Sequence, residues 1–193
     1  MLSLGDSMEA DLLARREQEL VARARGQDSV AFSELYDLHY RRVYSYIYYR
    51  VGSQELAEDL AADVFVRGWQ AIGSYDYRGV PLAAWLLRIA RNRVIDHFRR
   101  SGKRETVELE DQHVDLQADP VSEVENRLLQ EDLVRQMRSL TGDQRDVIVL
   151  KFFQGMSNTE VSSILGKPEG AIKSLQHRGL AALRRRWHKG GKE

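Results

Sequence analysis

The chain has 193 residues, 42% hydrophobic and 30% charged, with 29 basic and 29 acidic side chains and a formal net charge of zero. That is enough for one ordinary domain or two small ones with a buried core, and no apolar run approaches the roughly 18 residues that suggest a membrane span. With no cysteine, disulfides and thiol catalysis are excluded and the commonest structural zinc ligands are missing; the N-terminus lacks the apolar core of a signal peptide, so a cytoplasmic protein is expected.

Residues 1–17 read as a tail leading into a first helix that ends near Gln27, with Leu12, Leu13, Leu20 and Val21 available to dock it. From Asp28 to Val51 the spacing predicts a helix. Asp28 or Ser29 can cap it, Phe32, Leu35, Tyr36, Val43 and Ile47 mark a buried face, and Gly52 can stop it. Its tyrosines (Tyr36, Tyr40, Tyr44, Tyr46, Tyr48 and Tyr49) suit core and rim packing better than a stacking platform.

Ser53 starts the next helix, in which Leu56, Leu60 and Val64 recur every four residues, backed by Ala57, Ala61, Phe65 and Ile72. Beside this stripe runs an acidic one of Glu55, Asp59 and Asp63, with Glu58 near. The helix dipole accounts for acids in the first turn but not for Asp63, so the ridge is a candidate protein-docking face. The loop GSYDYRGV, residues 73–80, brings Tyr75, Tyr77 and Arg78 together. Exposed aromatics beside an arginine can stack on or capture an unpaired base; a loop pinned to the core by its tyrosines is the alternative.

Pro81 opens a long helix whose buried side is Trp85, Leu86, Ile89, Val94 and Phe98. Arg88, Arg91, Asn92 and Arg99 share an exposed side, with Arg93, Asp96 and Arg100 at its edge. Arginine and asparagine are the side chains that reach phosphates and base edges. Residues 101–120, SGKRETVELEDQHVDLQADP, are polar, lack apolar periodicity and end in Asp-Pro, which disfavours helix before the proline. They read as a flexible acidic linker between two small helical domains, 18–100 and 121–193. Basic segments at 88–104 and from Lys167 onward flank an acidic stretch at 105–132, a pattern that fits two nucleic-acid surfaces.

After the linker, Leu129, Leu133, Met137 and Leu140 share a helix face. Thr141 and Gln144 form a capping box for a helix whose Val147, Ile148 and Leu150 are expected in the core. A second capping box, Ser157 with Glu160, opens a short helix, with Met156 and Val161 spaced as a hydrophobic staple. Gly166 can take the positive φ that ends it, and Pro168 suits the first turn of the next helix. In that helix Ile172, Leu175, Gly179 and Leu183 fall on one side and Lys173, Ser174, His177, Arg178 and Arg185 on the other. This is the form of a helix-turn-helix, whose second helix enters the DNA major groove.

The histidines (His39, His97, His113, His177 and His188) show no ligand spacing, and there is no glycine-rich phosphate loop, HExxH or nucleophile elbow. No catalytic residue, metal site or cofactor is expected. The residues alone leave open a helix-turn-helix transcriptional regulator with a sensing N-terminal domain, or an adaptor docked through its acidic ridge.

YRGVPLAAWLLRIARNRVIDHFRR, followed after an acidic linker by LTGDQRDVIVLKFFQGMSNTEVSSILGKPEGAIKSLQHRGLAALRRR, resembles the bacterial extracytoplasmic-function (ECF) sigma factors. AFSELYDLHYRRVYSYI and AEDLAADVFVRGWQAI also look like that family's first domain, and the likeness runs from about Gln18 to Trp187. Leu82 departs from the pattern, which often has Phe there. The resemblance implies an all-α promoter-specificity subunit of RNA polymerase. It would bind the polymerase clamp helices and open the minus-10 element through its first domain (region 2). Its second (region 4) would read the minus-35 element and sit on the flap. Glu55, Glu58, Asp59 and Asp63 then fall on the polymerase-binding helix. Tyr75, Asp76, Tyr77 and Arg78 fall on the base-capturing loop, and Arg88, Asn92, Arg93 and Arg99 beside the melted strand. Ser157, Asn158 and Thr159 would hold a phosphate at a helix N-terminus. Lys173, Ser174, His177 and Arg178 would read bases and Arg184–Arg186 would contact phosphates. The family often uses an anti-sigma factor as a further partner.

Overall fold

The structure, a computed structural model, describes residues 4–76, 80–102 and 132–190. These form helices and connecting turns, with no strand among the described residues. In the first half α1 (Leu4–Arg25) leads into α2 (Ser29–Val51), α3 (Gln54–Ala71) and α4 (Leu82–Ser101), with a 3-10 turn at Ile72–Ser74. α1 begins well before the expected tail ends. Leu20 is buried, as its spacing suggested, but Leu12 and Leu13 remain exposed. Asp28 is the N-cap of α2, its carboxylate accepting from the backbone N–H groups of Val30 and Ala31 at 3.0 and 3.1 Å. Gly52 ends that helix at φ 74°, a backbone conformation glycine adopts without a Cβ penalty.

In the second half, residues 132–137 form the described part of α5. α6 (Gly142–Ile148) continues into a π turn, Val149–Phe153, before α7 (Asn158–Leu165) and α8 (Glu169–Gly190). Both capping boxes form reciprocally, Thr141 with Gln144 and Ser157 with Glu160. Met156 and Val161 are both buried at the staple. Gly166 closes α7 at φ 65°, and Pro168 lies just before α8, its carbonyl accepting from Ala171 and Ile172. Ile172, Leu175 and Gly179 pack inward. A Cβ on Gly179 would lie 3.1 Å from Ile148 Cγ1, so glycine sets how closely α6 and α8 approach.

The halves are packed on each other as well as internally. α4 meets α2 and α3 within its own half and α7 from the other, while α2 meets α6 and the π turn. The centre of this junction is polar. Asp146 on α6 is 1% exposed. Its Oδ1 lies 2.6 Å from Arg50 Nε and accepts from the Tyr46 hydroxyl at 2.7 Å, while Oδ2 accepts from Arg91 Nε at 2.8 Å. The neighbouring Arg145 is fully buried and donates to the carbonyls of Met137 (3.2 Å), Leu140 (3.3 Å) and Arg50 (3.2 Å). It thereby ties the end of α2 to the end of α5 and the turn that follows it. Arg91 was expected on an exposed side; it is turned inward because Asp146 and Asp143 compensate its charge.

Two predictions follow from this packing. Burial raises the phenol pKa of Tyr44, Tyr46 and Tyr49, and the adjacent Asp146 carboxylate raises that of Tyr46 further. Because the folded values lie above the unfolded one, their contribution to stability is intact below the ordinary tyrosine range, near pH 10, and is lost as pH rises through the raised values. An alkaline absorbance titration should show exposed phenols ionising first and the rest only as helicity collapses. A single rise near pH 10 with unchanged circular dichroism would contradict this. Separately, Gly179→Leu should overpack the α6–α8 contact and lower stability in denaturant by about 1–3 kcal/mol.

Candidate nucleic-acid and polymerase interfaces

On α8 the apolar side, Ile172, Leu175 and Gly179, is buried, which leaves Lys173, Ser174, His177 and Arg178 exposed together. Ser174 Oγ donates to the Gly170 carbonyl at 3.0 Å and Arg178 Nε to the Ser174 carbonyl at 3.3 Å. Among the described residues, Lys173, His177 and Arg178 pair with no carboxylate. The face is therefore cationic, backed by a rigid helix and free of its own counterions. Arg184, Arg185 and Arg186 continue the exposed basic surface along α8.

The start of α7 differs from expectation. Ser157 N–H donates to Glu160 Oε2 at 2.7 Å and Glu160 N–H to Ser157 Oγ at 3.2 Å. Thr159 Oγ1 donates to Glu169 Oε1 at 2.7 Å. Two carboxylates of the chain thus already occupy this N-terminus, where a phosphate was expected. Asn158 Oδ1 is buried without a partner among the described residues.

The loop before α4 is also corrected. Tyr75 is buried, its hydroxyl donates to the Val80 carbonyl at 2.7 Å, and its ring centroid lies 5.1 Å from that of Trp85. It pins the loop to the core and offers no exposed ring to a base. Asp76 is exposed; Tyr77 and Arg78 lie outside the described residues. On α4, Arg88, Asn92 and Arg99 are exposed, with Arg99 2.9 Å from Asp96. Arg93 is mostly enclosed. It pairs with Asp63 on α3 through a short ion pair and with Asp96 at 3.3 Å. Its charge is met by the first half itself, against the expectation of a cation facing DNA.

Along α3, Glu55, Glu58 and Asp59 are exposed, with Glu58 accepting from Gln54 at 2.9 Å. Asp63 is only half-exposed and is shared by Arg67, 3.2 Å away, and Arg93. The ridge is real over its first two turns and neutralised at its far end. Exposed Val66 continues it, an apolar position the spacing had not marked.

Asp146, Arg50 and Tyr46 were missed by the reading of the sequence. The available signal was a pair of carboxylates, Asp143 and Asp146, around Arg145 in a helix otherwise assigned to the core. Charges in such a helix require buried partners.

Both halves match described family models, Sigma-70 region 2 over residues 35–104 and Sigma-70 region 4 over residues 130–183. The chain is 41% identical to the ECF RNA polymerase sigma factor BldN of Streptomyces coelicolor, over 91% of this chain and 67% of that protein. It is 33% identical to the ECF sigma factor SigX of Bacillus subtilis, over 80% of this chain and 82% of that one. The fold also matches CnrH, solved in complex with the cytosolic domain of CnrY, at TM-score 0.71 and 24% identity over 90% of this chain and 98% of CnrH. The sigma factor RpoE of Bartonella quintana, solved with the anti-sigma factor NepR, matches at TM-score 0.65 and 25% identity over 80% of this chain and 94% of RpoE. An exposed acidic ridge on one helical unit and an exposed cationic helix face on the other thus occur in a chain that matches both family models, and the chain belongs to the extracytoplasmic-function sigma factors, which bind core RNA polymerase and direct transcription initiation at promoters.

Proposed function

We propose that the second unit reads the minus-35 promoter element and the first reads and opens the minus-10 element, with 18–100 and 121–193 as the working domains and 101–120 as their linker. The observation that carries this is the α8 face, where Lys173, Ser174, His177 and Arg178 are exposed and the cations are unpaired among the described residues. Lys173, His177 and Arg178 make the base contacts, with Ser174 beside them. Arg184, Arg185 and Arg186 bind the backbone. Asp76, Tyr77 and Arg78 meet the non-template strand, and Arg88, Asn92 and Arg99 run beside it. Tyr75 and Arg93 act by positioning, one holding the loop and the other joining α3 to α4.

Glu55, Glu58 and Asp59 face the polymerase clamp helices, and region 4 sits on the flap. The solved RpoE–NepR complex supports an anti-sigma factor as a further partner for this chain. No described helix is long and apolar enough to cross a membrane. We place the protein in the cytoplasm, with DNA and polymerase, and its work is binding rather than catalysis.

Run-off transcription with core polymerase on cognate promoter DNA tests the reading. The protein should confer initiation that core alone lacks; no gain over core would overturn it. Lys173→Ala or Arg178→Ala should weaken recognition of the minus-35 element by about 1–3 kcal/mol each, the range for a lost bidentate base contact. Charge reversal at Glu55 and Asp59 should lower co-purification with core polymerase and slow association most at low salt, because exposed charges act mainly on encounter.

A further inference from the structure

We infer that Glu169, the first residue of α8, is a specificity-determining residue of the reading helix, its carboxylate accepting from the exocyclic amine of a cytosine in the minus-35 element. The inference rests on the sigma-factor reading and deepens it by naming a base chemistry that this chain selects. The first residues of a recognition helix are the ones that reach base edges, while the helix before it crosses the backbone. Glu169 opens α8, and both it and Gly170 are exposed. Lys173 and His177 follow it at four-residue steps, along the same side of the helix. A Cβ on Gly170 would meet nothing within 4 Å, so the start of α8 is bare there and can approach a base edge closely.

The direction of the carboxylate is fixed from outside its own helix. Thr159 Oγ1, in the first turn of α7, donates to Glu169 Oε1 at 2.7 Å. A glutamate four residues before a lysine ordinarily pairs with it, yet among the described residues no ion pair joins Glu169 to Lys173. Thr159 turns the carboxylate toward α7, which leaves Lys173 unpaired and Glu169 Oε2 without a partner among the described residues. The helix dipole favours an acid in the first turn. It accounts for the charge, but not for a threonine that aims it.

The rest of the face cannot do this task. Lys173 and Arg178 only donate, and the Ser174 hydroxyl is turned back on the Gly170 carbonyl at 3.0 Å. Donors suit guanine, whose groove edge presents the O6 and N7 acceptors. An ionised carboxylate only accepts, and glutamate pairs with the cytosine N4 amine. The same charge refuses the wrong base. The major groove is about 12 Å wide, so a carboxylate inside it lies within a Debye length of the phosphates, about 10 Å at 0.1 M salt. It therefore lowers affinity for every sequence that offers no amine to compensate it.

Core polymerase carrying the full chain, mixed with promoter DNA randomised across the minus-35 element, tests this when the bound DNA is sequenced. Wild type should favour cytosine at one position by about tenfold, within the range of a specific base contact. Glu169→Ala should erase that preference and raise the binding of the other three bases there. Glu169→Gln should move it toward adenine, whose N6 amine and N7 pair with an amide. Thr159→Ala should weaken the preference at the same position, and Thr159→Ser should keep it. Wild type that forms no promoter complex with core would overturn the sigma reading itself. Wild type that binds, with a Glu169→Ala profile unchanged or lowered equally for every sequence, would overturn only this inference. A change confined to a position that favours an A·T pair would do the same. A Thr159→Ala profile identical to wild type would overturn the positioning role of Thr159.

Discussion

One carboxylate, that of Asp146, organises the junction on which the whole arrangement depends. Burying a charge costs several kcal/mol unless opposite charge and hydrogen bonds are supplied in good geometry. Here Arg50, Arg91 and the Tyr46 hydroxyl supply them from α2 and α4. Apolar contacts around the cluster contribute most of the association but are non-directional. The cluster fixes which helix faces meet, because a rotation of α6 would strand Asp146 and Arg50 together. Arg145, the next residue back, uses the same turn of helix to bind carbonyls at the end of α2 and in the turn after α5. Two adjacent charged residues thus perform separate structural tasks.

A second electrostatic tie shapes the first half. Asp63 ends the acidic ridge of α3 and Arg93 lies at the edge of the basic face of α4, and the structure joins them. The acidic ridge of α3 and the basic face of α4 are consequently joined by this ion pair, with Arg67 and Asp96 as flanking partners. What remains available for partners is the earlier part of the ridge, Glu55 to Asp59, and the outward cations Arg88 and Arg99.

Local devices were legible from the chain because their physics is local. Capping boxes depend on residues three apart, staples on residues five apart, and helix ends on glycine; these signals located α6, α7 and the turn before α8. The apolar side of α8 and its opposing Lys173, His177 and Arg178 follow from helical period alone. The same period located the acidic ridge and the core residues Leu60, Val64, Leu86 and Val94.

By itself, the sequence determined an all-α chain of two helical units with a helix-turn-helix in the second, because periodicity and capping are properties of neighbours along the chain. Only the tertiary structure decided the fate of charges and rings whose partners are remote in sequence. Tyr75 turned inward to Val80 and Trp85. Arg93 went to Asp63, thirty residues away, and Arg91 to Asp146, fifty-five away. A lone arginine or tyrosine on a helix edge can face solvent, nucleic acid or a buried acid at the same spacing. Which it faces depends on what packs over it, and no periodicity records that.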